Sequence, residues 1–462
     1  MKFFLGLILI DLAMVSCSHS PQLKLEKMSL PADWKNAGHF PVASATRDLS
    51  RWWSRFEDRT LSQIISTALA NSPDIAAASA RIRESQARRN AESASLFPSL
   101  SGSTAANGNA SKRDGFAGDS NSSFAANLNA SWEVDLFGKR RSSIEAASAQ
   151  LGVSEENFHS SQATLASEIA IAYTNLRVDE AELDVLRRTV KIRSETSKLA
   201  GWRNQAGEAD VLESSQAVSS LEQARAGIPA LEQSAASSRN LLALLAGQVP
   251  GSLDDLLSSG KKSIPNPSRN LAVGIPADTL RQRPDVRIAG YQLLAAAADS
   301  RAAIAQQYPS LNLSGSLGLN ALSSEKLFNP EAASAGLIAG LAGPIFDAGR
   351  IRSNMDAQNA VEEQAFQNYR TTVLTALSEV EDSLIACRRT GERLIILEKA
   401  TAAAREAAEL AQQRYEAGVT DILTVLDAQR TLLGLDTALY NVRASRTIAY
   451  IQLYKALGGG WS

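Results

Sequence analysis

The sequence predicts a membrane α+β fold made from two copies of one unit, with four strands per chain that join a barrel shared between chains. Three observations lead there. The chain repeats itself at a fixed offset of 211 residues. Each copy carries short runs in which apolar and small polar residues alternate. Each copy also carries very long helical patterns free of proline.

The repeat is read directly. Pro73-Asp74-Ile75 returns as Pro284-Asp285-Val286, Pro98-Ser99-Leu100 as Pro309-Ser310-Leu311, and Gly138-Lys139 as Gly349-Arg350. Further along come Arg203/Arg414, Ala206-Gly207/Ala417-Gly418, Asp210/Asp421, Leu212/Leu423 and Gly247/Gly458, with one small slip near Phe137/Phe346. Two copies at so long a period argue against a solenoid, which stacks several short repeats. They suggest a pseudo-symmetric pair of units closing around something.

Composition narrows the class. Net charge is −2 over 462 residues, so no electrostatic footprint for nucleic acid is present. Aromatic residues make up only 6%, while Ala and Ser are abundant, which suits long helices packed side by side. The three histidines, His19, His39 and His159, have no metal-ligand spacing to one another or to Cys17 and Cys387. No nucleophile-elbow, phosphate-loop or zinc-protease pattern occurs, so neither enzyme chemistry nor a cofactor is expected.

The N-terminus reads as an address. Met1-Lys2 supplies positive charge, and Phe3 to Ile10 is apolar but far short of the ~20 residues of a spanning helix. Met14-Val15-Ser16-Cys17 resembles a bacterial lipobox, with Met14 where Leu is usual and Asp11 interrupting the apolar run. Residues 1–16 are then a signal peptide, and Cys17 is the lipidated first residue of the mature chain. Ser18 after the cysteine favours the outer membrane. No later segment has 18 uninterrupted apolar residues. A membrane crossing must therefore use strands of a closed barrel.

Each unit reads helix, strand, strand, helix, helix. Residues 17–57 form an irregular N-terminal segment that includes Trp34, Trp52 and Trp53 and, like the linker after the first unit, is expected to wrap the outside of the helices. The first unit, 58–247, opens with one helix from Leu61 to about Leu96, buried through Leu61, Ile64, Ile65, Ala68 and Leu69 and ended by Phe97-Pro98. A Ser/Gly/Asn-rich stretch to Ser123 precedes a strand from Phe124 to Asp135. A proline-free helix from Lys139 to Asn204, a turn at Gly207 and a return helix capped by Asp210 follow, with Pro229 expected to kink or segment the last. Residues 248–276 are a proline-rich linker. The second unit, 277–458, repeats the plan: Leu311, Leu313, Leu317 and Leu319 alternate with Asn, Ser and Gly. Leu337, Ala339 and Leu341 then alternate with small residues up to Pro344. Helices from Ile351 to Tyr415 and from Asp421 to Leu457 follow, and 459–462 are a tail.

The strand runs of about 10 residues match a tilted outer-membrane strand, with Trp132 and Phe346 at strand ends where aromatic girdles lie. Four strands cannot close a spanning barrel, since the smallest have ~8. Several chains must contribute, and three copies give twelve strands.

These landmarks coincide with a family. Leu96-Phe-Pro-Ser-Leu100, Trp132-Glu-Val-Asp-Leu-Phe-Gly138, Leu280-Arg-Gln-Arg-Pro-Asp-Val286, Pro344-Ile-Phe-Asp-Ala-Gly-Arg350, Glu379-Val-Glu-Asp382, Tyr415-Glu-Ala-Gly418, Leu426-Asp-Ala-Gln429 and Leu457-Gly-Gly-Gly-Trp461 span nearly all of the mature chain. In this order they resemble the TolC-like outer-membrane efflux proteins, nearest the lipoprotein channels that serve RND-type pumps. Gly290 departs from the pattern, which usually has Glu there.

The resemblance implies a homotrimer whose twelve-stranded outer-membrane β-barrel continues as a long periplasmic α-helical barrel. It implies a passive export duct that works with a periplasmic adaptor (membrane fusion protein) and an inner-membrane pump, anchored in outer-membrane lipid. In the family an Asp ring and a Leu ring close the periplasmic tip. Asp427 fits the Asp position and Leu423 the Leu position, one helical turn apart. Tyr415 and Thr424 occupy tip positions where the family makes gate-stabilising contacts. The turns at Gly207 and Gly418 are the expected adaptor contacts. Gln216 stands opposite Asp427 across the repeat, so one hairpin per chain carries the acidic gate. The alternative is a lipid-anchored periplasmic adaptor or scaffold built on helical hairpins without a barrel.

Overall fold

A computed structural model describes residues 31, 33–37, 42–43, 49–113, 116–267, 273–274 and 281–461. Cys17 and residues 1–16, the expected signal peptide, lie outside these residues. In chain order the elements are β1 (Val42–Ala43), α1 (Arg59–Asn71), α2 (Pro73–Ala94), β2 (Ser99–Arg113), β3 (Phe116–Val134), α3 (Lys139–Gln205) and α4 (Val211–Leu245). Then come α5 (Asp254–Ser259), β4 (Val273–Gly274), α6 (Pro284–Ala305), β5 (Ser310–Ala321), β6 (Ala333–Ala342), α7 (Arg350–Glu416) and α8 (Ile422–Ala456).

The repeat is structural. Helices α2 and α6 have 22 residues each, α3 and α7 have 67, and α4 and α8 have 35, each pair starting 211 residues apart. At 1.5 Å per residue the longest helices extend about 100 Å. They start the same way. Gly138 (φ 81°) and Gly349 (φ 86°) take a left-handed step before the first turn. Asp135 accepts from the Arg140 and Arg141 amides, and Asp347 from the Ile351 amide at 2.8 Å. The Val-Asp-Leu-Phe-Gly and Phe-Asp-Ala-Gly motifs are thus capping devices that satisfy orphan donors.

Strands β2, β3, β5 and β6 form one antiparallel sheet in that order. Leu311, Leu313, Leu317 and Leu319 share a face of β5, as their alternation predicts. No described helix is long and apolar enough to cross a membrane.

Five expectations are corrected. The first helix is two, because Ser72 caps a new start and Pro73 takes its first position, where a missing N–H costs nothing. The Ser/Gly/Asn-rich stretch holds β2 and the start of β3, which run 15 and 19 residues, so β3 begins at Phe116 instead of Phe124. Pro229 does not segment α4, which runs unbroken through it. Strand β6 ends at Ala342, so Phe346 lies beyond it, and the linker holds the short helix α5.

The tryptophans of the N-terminal segment reach into the core. Trp34, Trp52 and Trp53 are buried, and Trp52 stacks on Tyr454 at 5.5 Å. Around them lie Leu61, Ile64, Ile65 and Ala68, all at most 1% exposed. A buried polar chain braces this core. Asp58 accepts from the Leu61 amide and the Tyr173 hydroxyl, and Arg177 donates to that hydroxyl, to Glu180 and to the Leu257 carbonyl. Burial pushes the Tyr173 phenol up to about 12.

The family motifs meet here too. Arg283, 7% exposed, holds Asp285, Glu379 and the Ala456 carbonyl. Glu381 accepts from the backbone amides of Lys35 and Asn36, pinning the N-terminal segment to α7. At Gly290 a Cβ would touch the Tyr369 ring at 4.0 Å, an ordinary contact.

Candidate functional site at the hairpin tips

Each long helix ends in the same turn. Gly207 (φ 76°) follows α3, and the Glu208 amide reaches back to the Arg203 carbonyl at 2.8 Å. Gly418 (φ 73°) follows α7, and the Val419 amide reaches the Arg414 carbonyl at 2.8 Å. A Cβ at either glycine would meet nothing within 4 Å. Conformation, not space, therefore requires glycine.

The return helices start on aspartates. Asp210 accepts from the Leu212 amide at 3.3 Å. Asp421 accepts from both the amide and the hydroxyl of Thr424, at 2.9 and 2.6 Å. The Thr424 hydroxyl, then its amide, hold the Asp421 carboxyl below the usual range by favouring its ionised form.

Tyr415 is fully buried in a small cluster with Ala200, Ala217, Ala411, Ile422 and Val425. Arg203 of the other hairpin lays its guanidinium over the ring and donates to the Tyr415 carbonyl at 3.4 Å. Glu213 accepts from the Ile422 amide at 3.4 Å. A cation thus sits at the C-terminal end of α7 and an anion at the N-terminal end of α8, each matched to the helix dipole. Burial, then the Glu213 charge, raises the Tyr415 phenol. One layer deeper, Thr196 donates to Gln412, and Gln429 reaches both.

Leu423 and Asp427 do not join this cluster. Both are exposed, one turn apart on α8, while Ile422 and Val425 turn inward. The equivalent positions of the first hairpin hold exposed Leu212 and half-buried Gln216. Sequence reasoning missed Arg203 and Glu213. Glu213 stands where the second copy has Thr424, so this departure from the repeat was its signal.

Among the described residues no group of three or more His, Cys, Asp or Glu is placed to hold a metal ion. The buried Cys387 thiol is pushed up to about 12 by desolvation.

Comparisons agree with this architecture. The model of the family described as outer membrane efflux protein matches residues 64–248 and 275–459, two segments 211 residues apart. The chain is similar to the pyoverdine export outer membrane protein OpmQ of Pseudomonas aeruginosa, with 33% identity over 99% of this chain and 97% of that protein. It is also similar to the toluene efflux pump outer membrane protein TtgF of Pseudomonas putida, with 32% identity over 98% and 96%. Its fold superposes on the solved outer-membrane channel OprN with a TM-score of 0.86, at 28% identity over 94% of this chain and 97% of that one. With both units matched and the fold shared end to end, this chain belongs to the outer membrane efflux protein family and is the outer-membrane channel component of an efflux system.

Proposed function

We propose that three copies form a passive duct from periplasm to exterior, closed at its periplasmic tip by Leu423 and Asp427. The observation that carries this reading is the outward placement of Leu423 and Asp427 beside a buried Tyr415 clamp. Three symmetry-related Asp427 carboxylates repel one another and hold a cation or ordered water at the constriction, while three Leu423 side chains narrow it. Tyr415, Arg203 and Glu213 bind the gate-bearing hairpin to its partner, and Thr424 fixes the start of α8 through Asp421. The sheet supports the assembly: β2 and β6 are both edges, and three such sheets give twelve strands.

A periplasmic adaptor docks at the turns around Gly207 and Gly418. Trp202, Val211 and Val419 are at least 64% exposed there, the kind of apolar surface a partner covers. An inner-membrane pump of RND type supplies energy and selection. OpmQ is named for pyoverdine and TtgF for toluene at similar identity to this chain, so cargo choice lies with the pump. Lipid on Cys17 anchors the mature chain, which divides into 17–57, the units 58–247 and 277–458, the linker 248–276 and the tail.

The gate is tested by Leu423→Cys. A short bismaleimide links copies at the tip if the three residues meet at the axis, and the buried Cys387 stays silent. A trimeric protein that yields only monomers contradicts the gate.

A further inference from the structure

The internal repeat supplies a template for the seam between chains. Within one chain, α3 of the first unit packs on α6 of the second. Three contacts define that seam: Arg301 with Glu145, Tyr291 against Gly152, and Arg287 with Glu156 at 2.7 Å. The contacts run antiparallel and place Leu294, at 55% exposure on the rim of the seam, level with Ala149.

Moved by 211 residues, α3 becomes α7 and α6 becomes α2. The face Glu145, Ala149, Gly152 and Glu156 becomes Asp356, Ala360, Glu363 and Gln367. The face Arg287, Tyr291, Leu294, Ala298 and Arg301 becomes Ala76, Ala80, Arg83, Ala87 and Asn90. Ala149, Gly152 and Glu156 are buried, as is Ala298, yet all nine equivalents are exposed in the single chain. A second copy of this chain is the occupant that the repeat itself specifies.

The chemistry also matches. Arg83 falls level with Ala360, so Asp356 and Glu363 flank it about one helical turn away on either side. Neither carboxylate forms an ion pair within the chain among the described residues, and Arg83 has only the Ser79 hydroxyl at 3.3 Å. The in-chain seam carries its ion pairs at Glu145 and Glu156. The repeat puts Asn90 and Ala76 opposite Asp356 and Gln367, so those two pairs have no counterpart between chains.

We propose that α2 of one chain packs on α7 of the next, and that Arg83 pins this seam by pairing with Asp356 and Glu363 of the neighbouring copy. The inference rests on the assembly of several copies proposed above. It assigns the ionic contact between copies to three residues outside the tip.

The test uses the full chain in detergent. Ala80→Cys with Glu363→Cys sits level across the seam and forms disulfide-linked oligomers on mild oxidation. Ala87→Cys with Gln367→Cys is displaced by about 16 Å and does not. Arg83→Glu raises the monomer fraction about tenfold at fixed temperature, and adding Glu363→Arg restores the oligomer. A monomeric wild type overturns the assembly and the seam together. An oligomeric wild type in which the level pair stays unlinked, or in which Glu363→Arg fails to rescue Arg83→Glu, overturns the seam alone.

Discussion

The Arg203 guanidinium lies 5.0 Å from the centroid of the Tyr415 ring and donates to the Tyr415 carbonyl. It ties the first hairpin to the end of α7 in the second. Cation–π contacts are worth about 0.5–2 kcal/mol, and Arg203 is half-buried. Arg203→Ala should therefore shift a closed tip toward open by roughly two- to thirtyfold. The open fraction in single-channel records measures this. An unchanged open fraction removes Arg203 from the clamp.

Gly418 tests the turn. Its φ of 73° is left-handed and a Cβ there has open space, so Gly418→Ala pays only conformational strain. About 1–2 kcal/mol is expected. Gly290 has ordinary φ and a permissive neighbour, and Gly290→Ala should leave thermal unfolding unchanged or slightly improved. Equal melting of the two variants contradicts this reading.

Asp58 serves α1 and Tyr173 at once. Asp58→Ala removes a helix cap worth about 1 kcal/mol and orphans a buried hydroxyl at about 1–3 kcal/mol. Denaturant or thermal unfolding should show a loss of about 2–4 kcal/mol, with Asp58→Asn recovering part of it.

The raised Tyr173 phenol gives a pH dependence. A folded value above the unfolded one means the neutral form is favoured by the fold. Its contribution is fully present below about pH 10 and is lost as pH rises from there through about 12. Absorbance titration of the phenolates should show a late-titrating class of buried tyrosines that also holds Tyr415 and Tyr454, and Tyr173→Phe should shrink that class by one. Early titration of every tyrosine would contradict the buried network.

Much of this was legible in the sequence, and the reasons are local. Gly207, Gly418, Asp210 and Asp421 announce turns and caps because left-handed backbone and orphan amides demand those residue types. The absence of proline from α3 and α7 let their lengths be read within a residue or two. What escaped was decided elsewhere. The start of β3 at Phe116 escaped because the run to Ser123 carries no apolar alternation. Pro229 lies in a helix held by tertiary packing. Arg203 and Glu213 act across hairpins, which no local pattern reports. The burial of Trp52 escaped because its stacking partner, Tyr454, lies about four hundred residues away in sequence.

The most direct measurement of the central claim is conductance of the purified protein in planar bilayers. The wild type should give small, cation-sensitive conductance. Asp427→Ala should give larger and cation-insensitive conductance, with a further increase when Leu423→Ser is added. A protein that never conducts, even with both residues replaced, would contradict a gated duct.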